Sequence, residues 1–294
     1  MNADSGQGQL FRSYLGGRLA VYTMALGSLA AFTIGAWRAQ PAIMLGGPAA
    51  IVAVVTGLAW YYANRAAANN FYFGFASSVG LTYANRTELI TMTPLLGAGN
   101  RRHVEQWMYG RLPGDLSGGV WELVWERIQR DSDGTTSVKE RNRFTICVAD
   151  LDPSLSYFRG VYLHPRRGLF APYSDWLGRT PVRTVEVESS RFVERYELRA
   201  ASDQDDLLVR RLFAPTVVSW LANHPLSPGF ELKAGTLCVF VPRPLEDAGN
   251  LTYLVDATRY LAARVASEVG EEMARPRLIG WRHACVSDRR IRRS

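Results

Sequence analysis

Two stretches near the start of the chain carry no Asp, Glu, Lys or Arg: Leu19–Trp37, and then Ala39–Asn64, with Arg38 between them. A helix needs about 20 apolar residues to cross the hydrocarbon core of a bilayer. Both stretches are long enough. The pattern predicts a two-helix transmembrane hairpin with spans at about 19–37 and 42–63. Residues 1–66 form this N-terminal part, 69–273 a soluble α+β domain with mostly antiparallel strand pairing, and 274–294 a basic tail.

Arg12 and Arg18 precede the first stretch as they would in a signal peptide. No clean A-x-A cleavage site follows Trp37, and a second apolar stretch comes at once, so an anchor is the better reading. Gly27, Ala31 and Gly35 recur at four-residue spacing in the first span, and Ala49, Ala53 and Gly57 in the second. Small residues on one face let helix backbones approach closely in lipid. The two stripes then face each other or a second copy, unless they reflect composition alone. Pro41 suits the start of the second helix, and Pro48 is placed to kink it. Trp37 and Trp60-Tyr61-Tyr62 lie where interfacial aromatic anchors lie. Arg12, Arg18 and Arg65 flank the spans on one side, against Arg38 on the other. This bias puts both termini in the cytoplasm and makes the chain a multi-pass protein of the cell membrane with a cytoplasmic soluble domain. With no ionised side chain inside either span, an intramembrane ion path has no support.

Charge is distributed unevenly. The formal net charge is +7, and the last twenty residues hold seven Arg against one Asp, so six of the seven charges sit there. Arg282, Arg289, Arg290, Arg292 and Arg293 are the residues expected to contact anionic lipid head groups, each contributing about 1 kcal/mol near the surface. A solvated end is the competing reading. Nucleic acid is disfavoured, because no nucleic-acid module accompanies the charge. The three cysteines, Cys147, Cys238 and Cys285, form no C-x-x-C; Cys147 and Cys238 sit in apolar runs and read as small core residues.

Past the hairpin, Trp107–Gly119 is rich in Gly and Pro and reads as loop. Val120–Gln129 and Val138–Val148 are strand-like runs separated by Asp131-Ser132-Asp133-Gly134, a hairpin signal. Val182–Glu188 and Phe192–Arg199 read as a second strand pair, with Ser189-Ser190 in the turn. Ser202-Asp203 opens a helix whose apolar positions include Leu207, Leu208 and Leu212; Pro215 stops it and starts the next. Phe230–Lys233 and Thr236–Val241 form a hairpin across Ala234-Gly235, and Leu251 to Val265 trace a helical face.

Glu188-Ser189-Ser190-Arg191-Phe192, Tyr196, the acidic stretch Asp203–Asp206, Pro215 with Leu221, the hairpin at Gly235 and the closing helix lie within Val185–Val269. This segment resembles the C-terminal part of a family of actinobacterial-type membrane proteins of unknown function. The resemblance implies two N-terminal transmembrane helices followed by a soluble α+β domain. It implies no activity and no catalytic residues.

The chemistry motifs are missing. His103, His164, His224 and His283 are scattered, with no H-E-x-x-H, no P-loop and no G-x-S-x-G. Asp150 and Asp152 read as turn residues, and Asp203, Asp205 and Asp206 as a helix start. Glu188-Ser189 lacks a base partner. No catalytic residue, cofactor or metal is expected. The reading is a membrane-anchored, non-enzymatic binding or assembly module, with a protein partner or a second copy as its target. The alternative is a membrane-associated enzyme acting on lipid or envelope material. A deep cleft with convergent polar groups would favour the enzyme, and an apolar patch the binding module.

Overall fold

The computed structural model describes residues 18–37, 41–84, 93–97, 101–130, 135–151, 157–166 and 181–274, with side chains at 18–21, 35–37, 41–46, 272 and 274 left aside. The chain divides into two compact units, one of Met1–Ile90, Ala98–Cys147 and Phe240–Asp256, the other of Thr91–Gly97, Val148–Val239 and Ala257–Ser294.

The first unit begins with helices α1 (Arg18–Trp37) and α2 (Pro41–Val79), which pack along each other. Helix α2 passes through Pro48 and does not end at Asn64. It continues for 39 residues, about 58 Å at 1.5 Å per residue, through the expected boundary at 66–69. Among the described residues no helix is long and apolar enough to cross a membrane. The apolar part of α2 runs directly into Asn64-Arg65 and Asn69-Asn70, and its first residues, 41–46, are described as backbone only. The two expected spans correspond to helices α1 and α2.

From Ala59 onward one side of α2 is buried: Ala59, Ala63, Ala67, Phe71, Tyr72, Phe75 and Ala76 are each at most 7% exposed. The Tyr72 hydroxyl donates to the Leu245 carbonyl at 3.2 Å, so the ring enters the core without orphaning its polar end. Burial and the nearby Glu122 carboxylate push the Tyr72 phenol far above its ordinary pKa.

Strands β1 (Thr82–Ala84), β2 (Arg101–Leu112), β3 (Leu116–Arg130) and β4 (Thr136–Asp150, to Cys147 in this unit) are neighbours in that order. The stretch 107–119, expected as loop, is instead the closed end of a long antiparallel hairpin whose register runs from Arg101↔Glu126 to Leu112↔Leu116. Gly110, Gly118 and Gly119 are strand glycines, and Gly114, at φ 90°, sits in the turn. A Cβ on Gly119 would collide with the Met108 carbonyl of the facing strand. A bulge shifts the register between Glu105 and Met108, with Gln106 at φ 53°. The bulge turns Gln106 toward α2, where the Tyr83 hydroxyl donates to Gln106 Oε1 at 2.6 Å and Gln106 Nε2 donates to Asn69 Oδ1 at 3.1 Å. The expected turn at Asp131–Gly134 lies outside the described residues.

In the second unit, β5 (Val161–Pro165), β6 (Val182–Thr184), β7 (Tyr196–Ala201), β8 (Gly229–Lys233) and β9 (Thr236–Val241, to Val239 in this unit) lie in the order β9-β8-β5-β7-β6. Pairs β5–β7, β5–β8 and β6–β7 are antiparallel. Ala234 (φ 51°) and Gly235 (φ 74°) take the two left-handed positions of the tight β8–β9 turn, as expected from their place in the sequence. Helices α3 (Pro94–Gly97), α4 (Ser190–Arg195), α5 (Asp206–Leu212) and α6 (Pro215–Asn223) complete the unit, together with residues 257–274 of α7 (Ala248–Ala274). The expected strand over Phe192–Arg199 starts only at Tyr196. Ser189 Oγ accepts from Phe192 N at 3.4 Å and caps a helical turn instead. Asp205, not Ser202-Asp203, caps α5, accepting from Leu207 N at 2.8 Å and Leu208 N at 3.4 Å. Phe192, Phe213 and Phe230 stack through the core, with centroids 6.1 and 5.8 Å apart. Cys238 here, like Cys147 in the first unit, is buried and outside any disulfide.

The small-residue stripes are placed asymmetrically. A Cβ on Gly27 would meet the Ile51 side chain at 3.3 Å, and Ala31 is half-buried. Ala49, Ala53 and Gly57 are exposed, and a Cβ on Gly57 would meet nothing within 4 Å. The surroundings of Gly35 lie outside the described residues. Gly57→Leu should therefore leave the packing of α1 on α2 unchanged, whereas Gly27→Leu should loosen it by about 1–3 kcal/mol of overpacking. Disulfide cross-linking between single cysteines on the facing sides of the two helices measures this. Equal loss in both variants would refute the asymmetry.

Candidate functional site

The second unit carries a groove beside the connection from β6 to α4. After β6 the chain runs on through Val185–Val187, enters α4 at the Ser189 cap, and returns as β7. Asp205 starts α5, and Pro215, whose missing N–H is no loss in a first turn, starts α6. Residues 185–191 and the α5–α6 pair thus form opposite walls of a groove of about 620 Å³. Leu198, Val209, Phe213 and Val218 are buried at its base. Glu186, Glu188, Arg191 and Arg210 line it with two charges of each sign. The Arg183 guanidinium holds the α5 start in place from β6, pairing with Asp206 Oδ1 at 2.6 Å and donating to the Gln204 carbonyl at 3.1 Å. That hydrogen bond holds the Asp206 carboxyl below its usual pKa, with Arg210 adding to the effect.

On the other side of α6, Trp220 lies beside a shallow depression with His224. Its ring is 4.9 Å from the His224 ring and 4.4 Å from that of Tyr260. Burial lowers the His224 pKa, and its Nδ1 accepts from Leu226 N at 3.2 Å.

Two buried polar clusters involve residues with acid–base potential. In the second unit, Glu231 is fully buried. His164 Nε2 lies 3.2 Å from Glu231 Oε1, and Leu95 N donates to Oε2 at 2.8 Å. Both carboxylate oxygens are thereby engaged, one in fixing α3 to the sheet. The Tyr162 hydroxyl nearby is buried, and burial pushes its pKa up to about 12. In the first unit, Arg143 Nε lies 2.6 Å from Glu122 Oε1 and Arg143 Nη2 3.2 Å from Glu105 Oε2, with His103 Nε2 3.1 Å from Glu105 Oε1. Burial raises the Glu122 pKa, and Arg143 lowers it by less. The two Arg143 pairs cross strands, while His103 and Glu105 are neighbours along β2. Among the described residues, no group of three or more His, Cys, Asp or Glu is placed to hold a metal ion.

Of the residues singled out from sequence, Gly27 lies against Ile51 of the facing helix, Ala31 is half-buried, and Ala49, Ala53 and Gly57 are exposed. Arg282, Arg289, Arg290, Arg292 and Arg293 lie outside the described residues, as does Asp152. Glu188-Ser189 resolves into a groove-lining acid and a helix cap. The groove itself was not anticipated. Its only advance signal was Ser189-Ser190 within a strand-like run, a cap motif that turns the chain away from the sheet.

No family model matches the chain, and no curated protein matches it. The family suggested by Val185–Val269 therefore stands as a resemblance. Among solved structures, the chain is similar to the mycobacterial trehalose monomycolate transport factor A, TtfA, at 10% sequence identity, over 67% of this chain and 94% of that one, with a TM-score of 0.44. A likeness at that level assigns neither fold nor activity, so the architecture rests on this chain's own strand pairings.

The raised Glu122 pKa has a measurable sign. A carboxyl that binds its proton more tightly when folded adds stability below its unfolded pKa and loses that contribution as pH rises through the folded value. His224 acts oppositely, since its lowered pKa makes acidification below about 6.5 destabilising. The difference in melting temperature between wild type and Glu122→Gln isolates the first effect. Wild type should gain relative to the variant as pH falls from 7 toward 5. A pH-independent difference would show that Arg143 fully compensates the burial.

Proposed function

We propose that this chain is a membrane-anchored, non-enzymatic module that binds or assembles at the cytoplasmic face. The observation that carries the anchor is the surface of the helix pair. Tyr22, Leu26, Leu29, Phe32 and Ile34 on α1, and Val52, Val54 and Leu58 on α2, are each 45% exposed or more. A continuous apolar surface of this kind marks a protein or membrane interface. Its edge favours the bilayer. Trp60, Tyr61 and Tyr62 follow Leu58 and are exposed at 51, 56 and 54%. Successive helical residues are 100° apart, so the three ring about 200° of the helix, as an interfacial belt does. Arg65 comes next, with its Nη1 3.4 Å from the Tyr61 hydroxyl. The order apolar, aromatic, cationic is that of a helix leaving a membrane.

The same helix then enters the core of the first unit, so anchor and unit share one rigid element. Arg12, Arg18 and Arg65 against Arg38 favour cytoplasmic termini. In this orientation the Arg-rich tail, with Arg282, Arg289, Arg290, Arg292 and Arg293, faces the anionic leaflet. The binding role is supported by the groove, whose base is apolar and whose lining charges cancel. Its target is a protein or a second copy.

The anchor is tested by alkaline carbonate extraction of membranes containing the full chain. It should stay in the pellet, and release into the supernatant would overturn the reading. A reporter fused at Ser294 should be active only if it functions in the cytoplasm, and activity of an exterior-type reporter would reverse the topology.

A further inference from the structure

The first unit carries a second surface at the height of the aromatic cluster on α2. Two contacts align β2 with that helix. Gln106 Nε2 donates to Asn69 Oδ1 at 3.1 Å. Further on, a Cβ at Gly110 would meet Leu81 Cδ2 at 3.4 Å, just past the end of α2 at Val79. Asn69 to Val79 is about 15 Å of helix, and Gln106 to Gly110 about 13 Å of strand. The two therefore run side by side in the same direction. From Asn69 back to Tyr61 is about 12 Å along α2. From Gln106 back to Arg101 is about 17 Å along β2. The start of β2 thus reaches the level of Trp60, Tyr61 and Tyr62. Arg101 faces Glu126 of β3. Arg141 Nε lies 3.5 Å from Glu126 Oε1, and Arg127 Nε 3.8 Å from Glu140 Oε2, so β4 begins beside the end of β3. Both strands run on past Arg101, β3 as far as Arg130.

This end of the sheet is cationic. Arg101, Arg102, Arg127, Arg130, Lys139 and Arg141 are all exposed. The acids of these strand ends are Glu126 and Glu140, and the intervening sequence adds Asp131 and Asp133. Six cations against four acids leave a positive balance, to which exposed Arg65 on α2 adds. Val138, next to Lys139, is 53% exposed, an apolar side chain among charged ones.

We propose that the start of β2 and the adjoining ends of β3 and β4 rest on the head groups of an anionic lipid leaflet, with Val138 entering the interface. This proposal rests on the anchoring half of the function above and adds a contact remote from the helix pair in sequence. The occupant follows from height and charge together. A bilayer that ends at Trp60–Tyr62 lies directly against whatever else of the first unit reaches that level. The positive balance of this end matches the negative surface potential of an anionic leaflet. A second copy meeting it through the same end would set like charges against each other. Val138 suits the same surface, since a small apolar side chain flanked by cations can enter the head-group layer while the cations stay among the phosphates. The contact would fix the tilt of the unit, which a single pair of helices leaves free to rock.

The test uses the full chain with Cys285→Ser, which leaves only the buried thiols of Cys147 and Cys238. A fluorophore is attached through Thr136→Cys, at the exposed start of β4, or through Ser117→Cys, at the other end of the β2–β3 hairpin. The labelled chain is placed in nanodiscs of phosphatidylcholine, with or without about 30% phosphatidylglycerol, carrying a quencher on the lipid head group. Quenching at Thr136 should exceed that at Ser117, and should be about twofold greater with phosphatidylglycerol than without it. Salt at about 0.5 M should remove the difference between the two lipids. Arg130→Glu combined with Lys139→Glu should remove it too, while keeping the melting temperature, since both side chains are exposed. Val138→Asp should weaken the quenching independently. The proposal is overturned by equal quenching at Thr136 and Ser117, by equal quenching in the two lipids, or by quenching that survives the charge reversal. A third label through Val54→Cys, with the quencher on the acyl chain, reads the anchor separately. A chain quenched at Val54 but not at Thr136 loses only this contact; one quenched at Thr136 but not at Val54 loses only the anchor.

Discussion

Four acids are buried among the described residues: three are held by arginines, and Glu231 by an imidazole and a backbone N–H. Glu122 lies against Arg143, Glu126 between Arg101 and Arg141, Glu231 against His164, and Glu268 between Arg211 and Arg264. A carboxylate taken out of water costs several kcal/mol unless it is paired and hydrogen-bonded. This constraint orders much of the structure. Arg143 must reach across strands, Leu95 must bring α3 to the free oxygen of Glu231, and α5 must lie close enough to α7 for Arg211 to meet Glu268 at 2.8 Å. The near absence of lysine, with two in the chain, is consistent with that role. A planar guanidinium can serve two partners at once, as Arg143 serves Glu122 and Glu105, and Arg211 serves Glu268 and Glu271.

The parts of the fold legible from sequence were those in which local chemistry and packing agree. Ala234-Gly235 between two apolar runs could hardly be other than a tight hairpin, and the 3.6-residue period from Leu251 to Val265 matches the buried side of α7. The misread parts are places where a tertiary partner overrides a local signal. The glycines at 110, 118 and 119 resemble a loop until the facing strand is present, and only Gly114 belongs to the turn. Gly119 is then required because the Met108 carbonyl occupies the space a side chain would need. Phe192–Arg195 has strand-like composition, but Ser189 is positioned to cap a helix, and Phe192 is buried with Phe213 in that form. The groove was invisible for the same reason: neither of its walls has meaning without the other.

Helix α2 links the two kinds of surface on the first unit. Up to Leu58 its exposed side chains are apolar. After Ala63 its buried side is the one that matters, ending in the hydrogen bond from Tyr72 to the Leu245 carbonyl. An Asn-Arg pair and an Asn-Asn pair interrupt the apolar run but not the helix. A sequence pattern places a boundary where hydropathy changes. The backbone has no reason to break there, since Asn, Arg and Ala all continue a helix at modest cost.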